Sequence, residues 1–501
     1  MALLERITHT EVTERQRPWP RLIVSEEGWT QAIDLLADGT CSLLGLWGDP
    51  PEVHMALLGR EPRDLIVISH PCKSGRYPSV AARHPPAIRL ERTIHDLFGL
   101  AAVDTPDSRP WLDLGFWNVR QPLGKKASAR KNDPYKFLPA EGEGLHQIPV
   151  GPVHAGIIEP GHFRFTANGE HVVRLEQRLG WVHKGIESLL ESATLGGAAK
   201  LASRTSGDST VAYAFAFAQA AEAAMQVDVP LRATYLRALM AELERLANHF
   251  GDIGAICNDA SFSLMHAQCA ILRERTLRAA EVGFGHRLMM DVIVPGGLTR
   301  DIDPEGLAVV ADLLAEIRRV FPRLIELYDN TASLQDRTVT TGIVKPELAT
   351  QFSAGGYVGR ASGRAFDVRR VLAYPPYDRL SFEVPVLDSG DVNARVWIRI
   401  REIEQSLSLI DQILATAPSG AIKGPLGKAR SCEGLAVVEG FRGDVLVWLK
   451  LDGKGRVGRC HLRDPSWFQW PLLEAAIEGN IVADFPLCNK SFNCSYSGHD
   501  L

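Results

Sequence analysis

The chain is short of the signatures that mark many metal-binding, dinucleotide-binding, membrane-spanning or exported proteins. It has eight cysteines, at positions 41, 72, 257, 269, 432, 460, 488 and 494, and no two of them are three apart. A C-x-x-C pair is therefore absent, and with it the usual zinc ribbon or iron–sulfur signature. No G-x-G-x-x-G follows a strand-like run, so no dinucleotide site of that type is predicted. No apolar run approaches the ~18 residues of a membrane span. The first twenty residues, MALLERITHTEVTERQRPWP, carry early charge and no apolar stretch of the signal-peptide kind. A cytoplasmic protein with reduced thiols is the expectation. Net charge is −5, which argues against nucleic acid as the main partner. There is no internal repeat.

What is present is an ordinary globular composition, 45% hydrophobic and 23% charged over 501 residues, enough for two or three domains around a large core. Two stretches stand out. Arg204-Thr-Ser206-Gly207-Asp208-Ser209 and, near the C-terminus, Cys494-Ser-Tyr-Ser497 each place two small polar residues three apart. Two C-x-x-C pairs in these places would form a four-thiolate metal cage. Three of the four positions are Ser, and only Cys494 is a thiol.

The pattern predicts an α+β fold. Residues 1–123 read as a small α+β domain: a helix from Trp29 ended by Gly39, strands at Ser42–Trp47 and Asp64–Ser69, and a short helix over Thr93–Gly99. Residues 124–147 are rich in Pro, Gly and basic side chains and read as a linker. Its basic half, Lys125 to Lys136, is either a solvated segment or a contact for an acidic partner. Residues 148–501 read as a large helix bundle with β flaps at both ends. Asn168-Gly169 between alternating runs predicts a hairpin over Phe163–Glu176. Helices are expected at Ser209–Met225 (capped by Asp208 or Ser209), from Pro230 with an apolar stripe through Phe250, at Phe262–Leu288, at Asp303–Pro322, at Arg323–Leu334 and at Val396–Ala415. A second hairpin is expected at Leu435–Leu451.

Read in order, several motifs resemble two subunits of bacterial respiratory complex I fused in one chain. Glu91-Arg92-Thr-Ile-His-Asp96-Leu-Phe98-Gly99 and Asp107-Ser-Arg109-Pro-Trp-Leu-Asp-Leu-Gly-Phe116 resemble its 30-kDa-type subunit. The quinone-site 49-kDa-type subunit is resembled by Ile148-Pro-Val-Gly151-Pro-Val-His154, Gly180-Trp-Val-His183-Lys-Gly185-Ile-Glu187, Glu242-Leu-Glu-Arg245-Leu-Ala-Asn248-His249, Pro295-Gly-Gly and Tyr374-Pro-Pro-Tyr377-Asp378. The same fused order occurs in the large subunits of formate-hydrogenlyase-type nickel–iron hydrogenases.

The resemblance carries expectations. The hydrogenases hold nickel and iron through R-x-C-G-x-C and a C-terminal C-x-x-C. The matching positions here are Ser206, Ser209, Cys494 and Ser497, with Arg204 and Gly207 retained. A Ser hydroxyl is a hard donor that stays protonated near neutral pH, so no nickel–iron centre is expected. Complex I uses the cavity without metal for a quinone, approached by a His and a Tyr. His154 matches that His and His162 a second one, as groups to hydrogen-bond and protonate a carbonyl. The Tyr position aligns to Leu201. Arg204 is expected to face the cofactor. Glu187 is read either as a buried proton relay of raised pKa or as an ion-pair partner of Arg204 or another Arg. Asp208 is a helix cap or a polar cavity group, while Cys494 is a former ligand or simply a small buried side chain. Asp378, Arg360 and Arg364 are candidates for a charged axis feeding the cavity.

The implied partners are an iron–sulfur small subunit holding the nearest cluster, a ferredoxin-like subunit and membrane-arm subunits. The implied location is the cytoplasmic face of the inner membrane. Three functions remain open: a redox subunit working without nickel and iron, a non-redox scaffold between the iron–sulfur and membrane subunits, and a hydrogenase with an altered nickel site.

Overall fold

The computed structural model describes residues 2–124, 128–129, 135–155, 158–427 and 430–501. Lys125, Lys126, Arg130 and Lys131 of the basic linker half lie outside the described residues.

After a single helical turn at Leu3–Arg6 come β1 (Glu11–Thr13), β2 (Gln16–Arg17), β3 (Arg21–Ile23), α1 (Glu26–Ala37), β4 (Ser42–Asp49), β5 (Glu52–Leu58) and β6 (Leu65–Pro71). Five of these strands form a sheet in the order β1-β3-β6-β5-β4, with β3 and β6 parallel and the other pairs antiparallel. α1 starts three residues before Trp29, because the Ser25 side chain accepts the Gly28 N–H and Glu26 and Glu27 suit the positive end of the helix. Trp29, Ala32, Ile33 and Leu36 make its buried face.

β5 gives no alternating signal, since nearly all of it is buried on both faces. Leu43, Leu46, Val53, Met55 and Ile68 pack on one side with α1. On the other side Leu44, Trp47, Ala56 and Val67 join the same core as the long helices. The motif helix α2 (Ile88–Phe98) follows. Its Asp96 carboxylate accepts the N–H groups of Trp111 (2.6 Å), Leu112 (2.9 Å) and Asp113 (3.2 Å), which pins that segment.

Three antiparallel strands come next: β7 (Leu145–Val150), β8 (His162–Asn168) and β9 (His171–Arg178), with Asn168 opposite His171 across the expected turn. The helical part contains α3 (Ile186–Leu190), α4 (Thr210–Met225), α5 (Leu231–Asp259), α6 (Ser263–Phe284), α7 (Pro304–Asp329) and α8 (Val392–Thr416). Leu236, Leu239, Met240, Leu243, Leu246, Ala247 and Phe250 of α5 are all buried. α7 runs through Pro322, where the sequence reading ended one helix and began another. An interior proline costs ~3 kcal/mol or more. Here Leu313, Leu314, Ile317, Phe321, Leu324 and Tyr328 stay buried along one face, so burial of the stripe outweighs the lost hydrogen bond.

The second hairpin gains a third strand and becomes interior. β10 (Cys432–Gly440), β11 (Gly443–Leu451) and β12 (Val457–Arg463) form a sheet whose fourth strand is β2, parallel to β10. Every residue of β10 is buried. It lies so close to α4 that a Cβ on Gly434 would sit 1.8 Å from the Ala220 carbonyl oxygen. Three helices close the chain: α9 (Ser466–Ile477), α10 (Phe485–Phe492) and α11 (Tyr496–Asp500). Among the described residues no helix is long and apolar enough to cross a membrane.

Candidate functional site

The two polar stretches meet. One precedes α4 and the other joins α10 to α11, and the Ser206 and Ser495 hydroxyl oxygens lie 3.0 Å apart. Beside them is a cleft of about 400 Å³, walled by Ser206, Asp208, Arg442, Lys490, Cys494 and Tyr496 among others. Ser497 also lines it, and Ser209 lies next to it.

Arg442 sits at the tight turn between β10 and β11. Its guanidinium donates to Asp208 (2.8 Å to Oδ1) and to the Ser209 hydroxyl (3.2 Å). The Ser206 hydroxyl donates to the same Asp208 oxygen at 2.7 Å. Burial works against the Asp208 charge, but Arg442 and the two hydroxyls outweigh it and pull its pKa down to about 2. Asp208 is thus a cavity group rather than a helix cap, and Ser209 makes no side-chain cap either. The first amides of α4 are taken by a carboxylate from α5: Glu244 accepts Val211 N–H at 2.7 Å and Ala212 N–H at 3.1 Å.

This donor set does not fit a nickel–iron centre. Ser206 and Ser209 spend their protons on Asp208, a guanidinium stands beside them, and burial pushes the Cys494 thiol well above its ordinary value. The Ser497 backbone N–H donates to Glu159 (3.0 Å). Among the described residues no group of three His, Cys, Asp or Glu side chains could hold a metal ion.

His154 is not in the cleft wall but stands behind Tyr496, which is. Its Nδ1 accepts the Ala155 N–H (2.8 Å), which leaves the proton of the neutral ring on Nε2, 3.4 Å from the Tyr496 hydroxyl. Burial and Lys490 hold the imidazole pKa below its ordinary value, and its ring stacks on Phe163 at 5.3 Å. Burial raises the Tyr496 phenol well above its ordinary value, so it stays a hydroxyl donor. The sequence reading missed Tyr496, although it lies between two of the former ligand positions. It missed Arg442 too, for which a Phe-Arg-Gly turn gives no motif.

Three expected site residues are elsewhere. Arg204 points outward and makes a two-pronged ion pair with Asp291 (2.7 and 2.8 Å); the cations that line the cleft are Arg442 and Lys490. His162 begins β8, buried, with Nδ1 3.4 Å from the Gly151 carbonyl and its ring against Phe137. It does not line the cleft, because the strand that carries it turns it toward Phe137 and Arg164. Glu187 does not line the cleft either. Its carboxylate is held by Arg459 (2.6 Å) and His461 (2.8 Å) of β12. Burial alone would raise its pKa, but these two partners bring it down to about 2. The relay of raised pKa is therefore corrected to a buried ion pair, with Arg459 rather than Arg204.

None of the residues read as a charged axis feeding the cavity lines the cleft, although one of them heads a buried ion network. Arg360 is fully buried and reaches Glu402, Glu439 and Asp367. Arg369 continues to Glu242, which also accepts from the Tyr377 hydroxyl. Arg364 bonds the Ala354 carbonyl, and Asp378 is exposed at its turn.

The family model described as respiratory-chain NADH dehydrogenase, 49 Kd subunit, matches residues 260–431 and 425–500. Formate hydrogenlyase subunit 5 of Escherichia coli (strain K12) is 31% identical over 444 residues, 85% of this chain and 77% of that protein. A D-type NADH-quinone oxidoreductase subunit of Roseiflexus sp. (strain RS-1) is 32% identical over 354 residues, 68% of this chain and 94% of that protein. The fused C/D-type NADH-quinone oxidoreductase subunit of Bacteroides thetaiotaomicron is 28% identical over 434 residues, 81% of this chain and 82% of that protein.

Proposed function

Because the chain belongs to the family of the 49-kDa subunit of respiratory-chain NADH dehydrogenase, and is an oxidoreductase subunit of the complex-I-like and hydrogenase-like kind, we propose that its cleft reduces a quinone without a nickel–iron centre. The observation that carries this is the Tyr496 hydroxyl, in the cleft wall and 3.4 Å from the His154 Nε2. A quinone carbonyl gains negative charge as it accepts electrons. Tyr496 donates a hydrogen bond to that oxygen, and His154 behind it donates to the phenol oxygen and steadies the charge that develops. Arg442 and Lys490 favour the anion electrostatically. The electrons come from an iron–sulfur cluster in a partner subunit.

The same reading divides the chain into a 30-kDa-subunit-like unit (1–123), a linker (124–147) and a 49-kDa-subunit-like unit (148–501). It places the chain on the cytoplasmic face of the inner membrane, against an iron–sulfur small subunit, a ferredoxin-like subunit and membrane-arm subunits. A second reading, scaffold without redox chemistry, is favoured by one observation: the Asp208–Arg442 pair occupies the Ser206 and Ser209 hydroxyls, two of those that replace the thiolates.

The purified complex separates these. Reduction of decylubiquinone by reduced methyl viologen, with no stoichiometric nickel and no hydrogen uptake, is the expected outcome. Nickel with hydrogen uptake would contradict it, and neither activity would favour the scaffold.

A further inference from the structure

Asp208 walls two cavities. One is the cleft; the other is a narrow pocket of about 20 Å³ bounded by Glu244 and Asn248 of α5, Arg273, Thr276 and Ala280 of α6, and Arg287. Arg287 is exposed, so the pocket leads from Asp208 toward solvent. Asn248 ties the two sides, donating to the Asp208 carbonyl at 2.8 Å.

Glu244 is buried, at 8% exposure, and among the described residues its carboxylate accepts only from the Val211 and Ala212 amides. Unlike Glu187, it has no cation within ion-pair distance among the described residues. The charged groups around it are engaged or peripheral. Asp208 is held by Arg442, Arg245 bonds Glu242 and the Gly440 carbonyl, Arg287 pairs with Glu274, and Arg273 lies at the pocket wall. Burial, with Asp208 adding to it, raises the Glu244 carboxyl to about 8 against the pull of the helix amides. A cap needs only an acceptor, which an amide or hydroxyl supplies. A carboxyl with no cation, on a pocket between solvent and the cleft wall, holds an exchangeable proton.

We propose that Glu244 is a proton-transfer group serving the cleft, loaded from solvent through the narrow pocket and unloaded past Asp208. In the step, the Glu244 O–H bond breaks and its proton is relayed by the hydroxyls gathered on Asp208, each taking one proton and giving up another, to the reduced quinone oxygen in the cleft, where the new O–H bond forms; the carboxylate left behind is reprotonated from solvent. No electron moves in it. The inference rests on the cleft being a proton-consuming redox site, and Glu244 acts there through other groups.

Two measurements test it. In the full chain, infrared difference spectroscopy with exchange into D2O is expected to show a carboxylic-acid band that exchanges within seconds, is lost in Glu244→Gln, and exchanges at least tenfold more slowly in Ala280→Val, which narrows the pocket without touching Glu244. A band unchanged by Glu244→Gln, or an exchange rate unchanged by Ala280→Val, overturns the proposal. In the complex, Glu244→Gln is expected to slow decylubiquinone reduction at least tenfold in kcat with KM unchanged and to flatten the alkaline side of the pH profile, with part of the rate returned by Glu244→Asp. A Glu244→Gln rate above half of wild type with an unchanged profile also overturns it. A wild-type complex that reduces no quinone contradicts the reading of the cleft instead, and the exchange measurement then decides on Glu244 alone.

Discussion

Two buried glutamates show how little burial decides by itself. Glu187 and Glu244 have similarly small exposure, 4% and 8%. Glu187 meets Arg459 and His461 and is held at about 2; Glu244 meets two backbone amides and no cation and is raised to about 8. The first is a clamp between α3 and β12, charged at any ordinary pH. The second is the one able to lose and regain a proton near neutrality. The sequence singled out only Glu187, through its motif, and left it open between a proton relay and an ion-pair partner.

The largest effect is expected from breaking the clamp. Arg459→Met leaves Glu187 buried with His461 and the Leu462 amide but without its guanidinium, and should lower stability by about 3–5 kcal/mol in urea unfolding. A loss within that of an exposed pair would mean that Glu187 does not need its cation.

The two carboxyls should next act in opposite pH windows. Glu187 has a folded pKa below its ordinary 4.5, so its contribution is present above 4.5 and is lost as pH falls from 4.5 toward about 2. Glu244 has a folded pKa above 4.5, so its contribution is full below 4.5 and is lost as pH rises toward about 8. Thermal or urea stability against pH should therefore lose its acid slope below 4.5 in Glu187→Gln and part of its slope between 4.5 and about 8 in Glu244→Gln. Equal effects of the two variants on the same limb would erase the distinction.

The smallest effect belongs to Arg204→Ala. Its partner Asp291 is exposed like itself, so the loss should be about 0.2–1 kcal/mol, with decylubiquinone reduction unchanged. A large loss of activity would return Arg204 to the cleft.

The legible parts of the fold were those with a local cause. Asn168-Gly169 declared its hairpin, the α5 stripe its buried face, and Ser206 with Cys494 the meeting of two distant loops. β5 was illegible because both its faces are buried and its pattern does not alternate. α7 was cut at Pro322 because a local penalty was set against a burial that only the packed helices reveal. At the site, His154 and Asp208 were legible through their motifs. Arg442, Tyr496 and Glu244 matter through partners 234, 342 and 33 positions away in the chain, Asp208, His154 and Val211, and no spacing rule reaches that far. Arg204 kept its motif and left the site: Thr205 and Ser206 are buried, while the Arg204 side chain reaches out to Asp291.

The most direct test of the central claim is the rate of decylubiquinone reduction by the purified complex carrying Tyr496→Phe. Phenylalanine keeps the ring against Trp470 and removes only the hydroxyl that faces His154. A fall of roughly 10²–10⁴-fold, the usual range for a lost acid–base group, with the fold and the assembly of the complex intact, is the predicted result. A rate equal to wild type would show that the cleft does not do its chemistry through Tyr496.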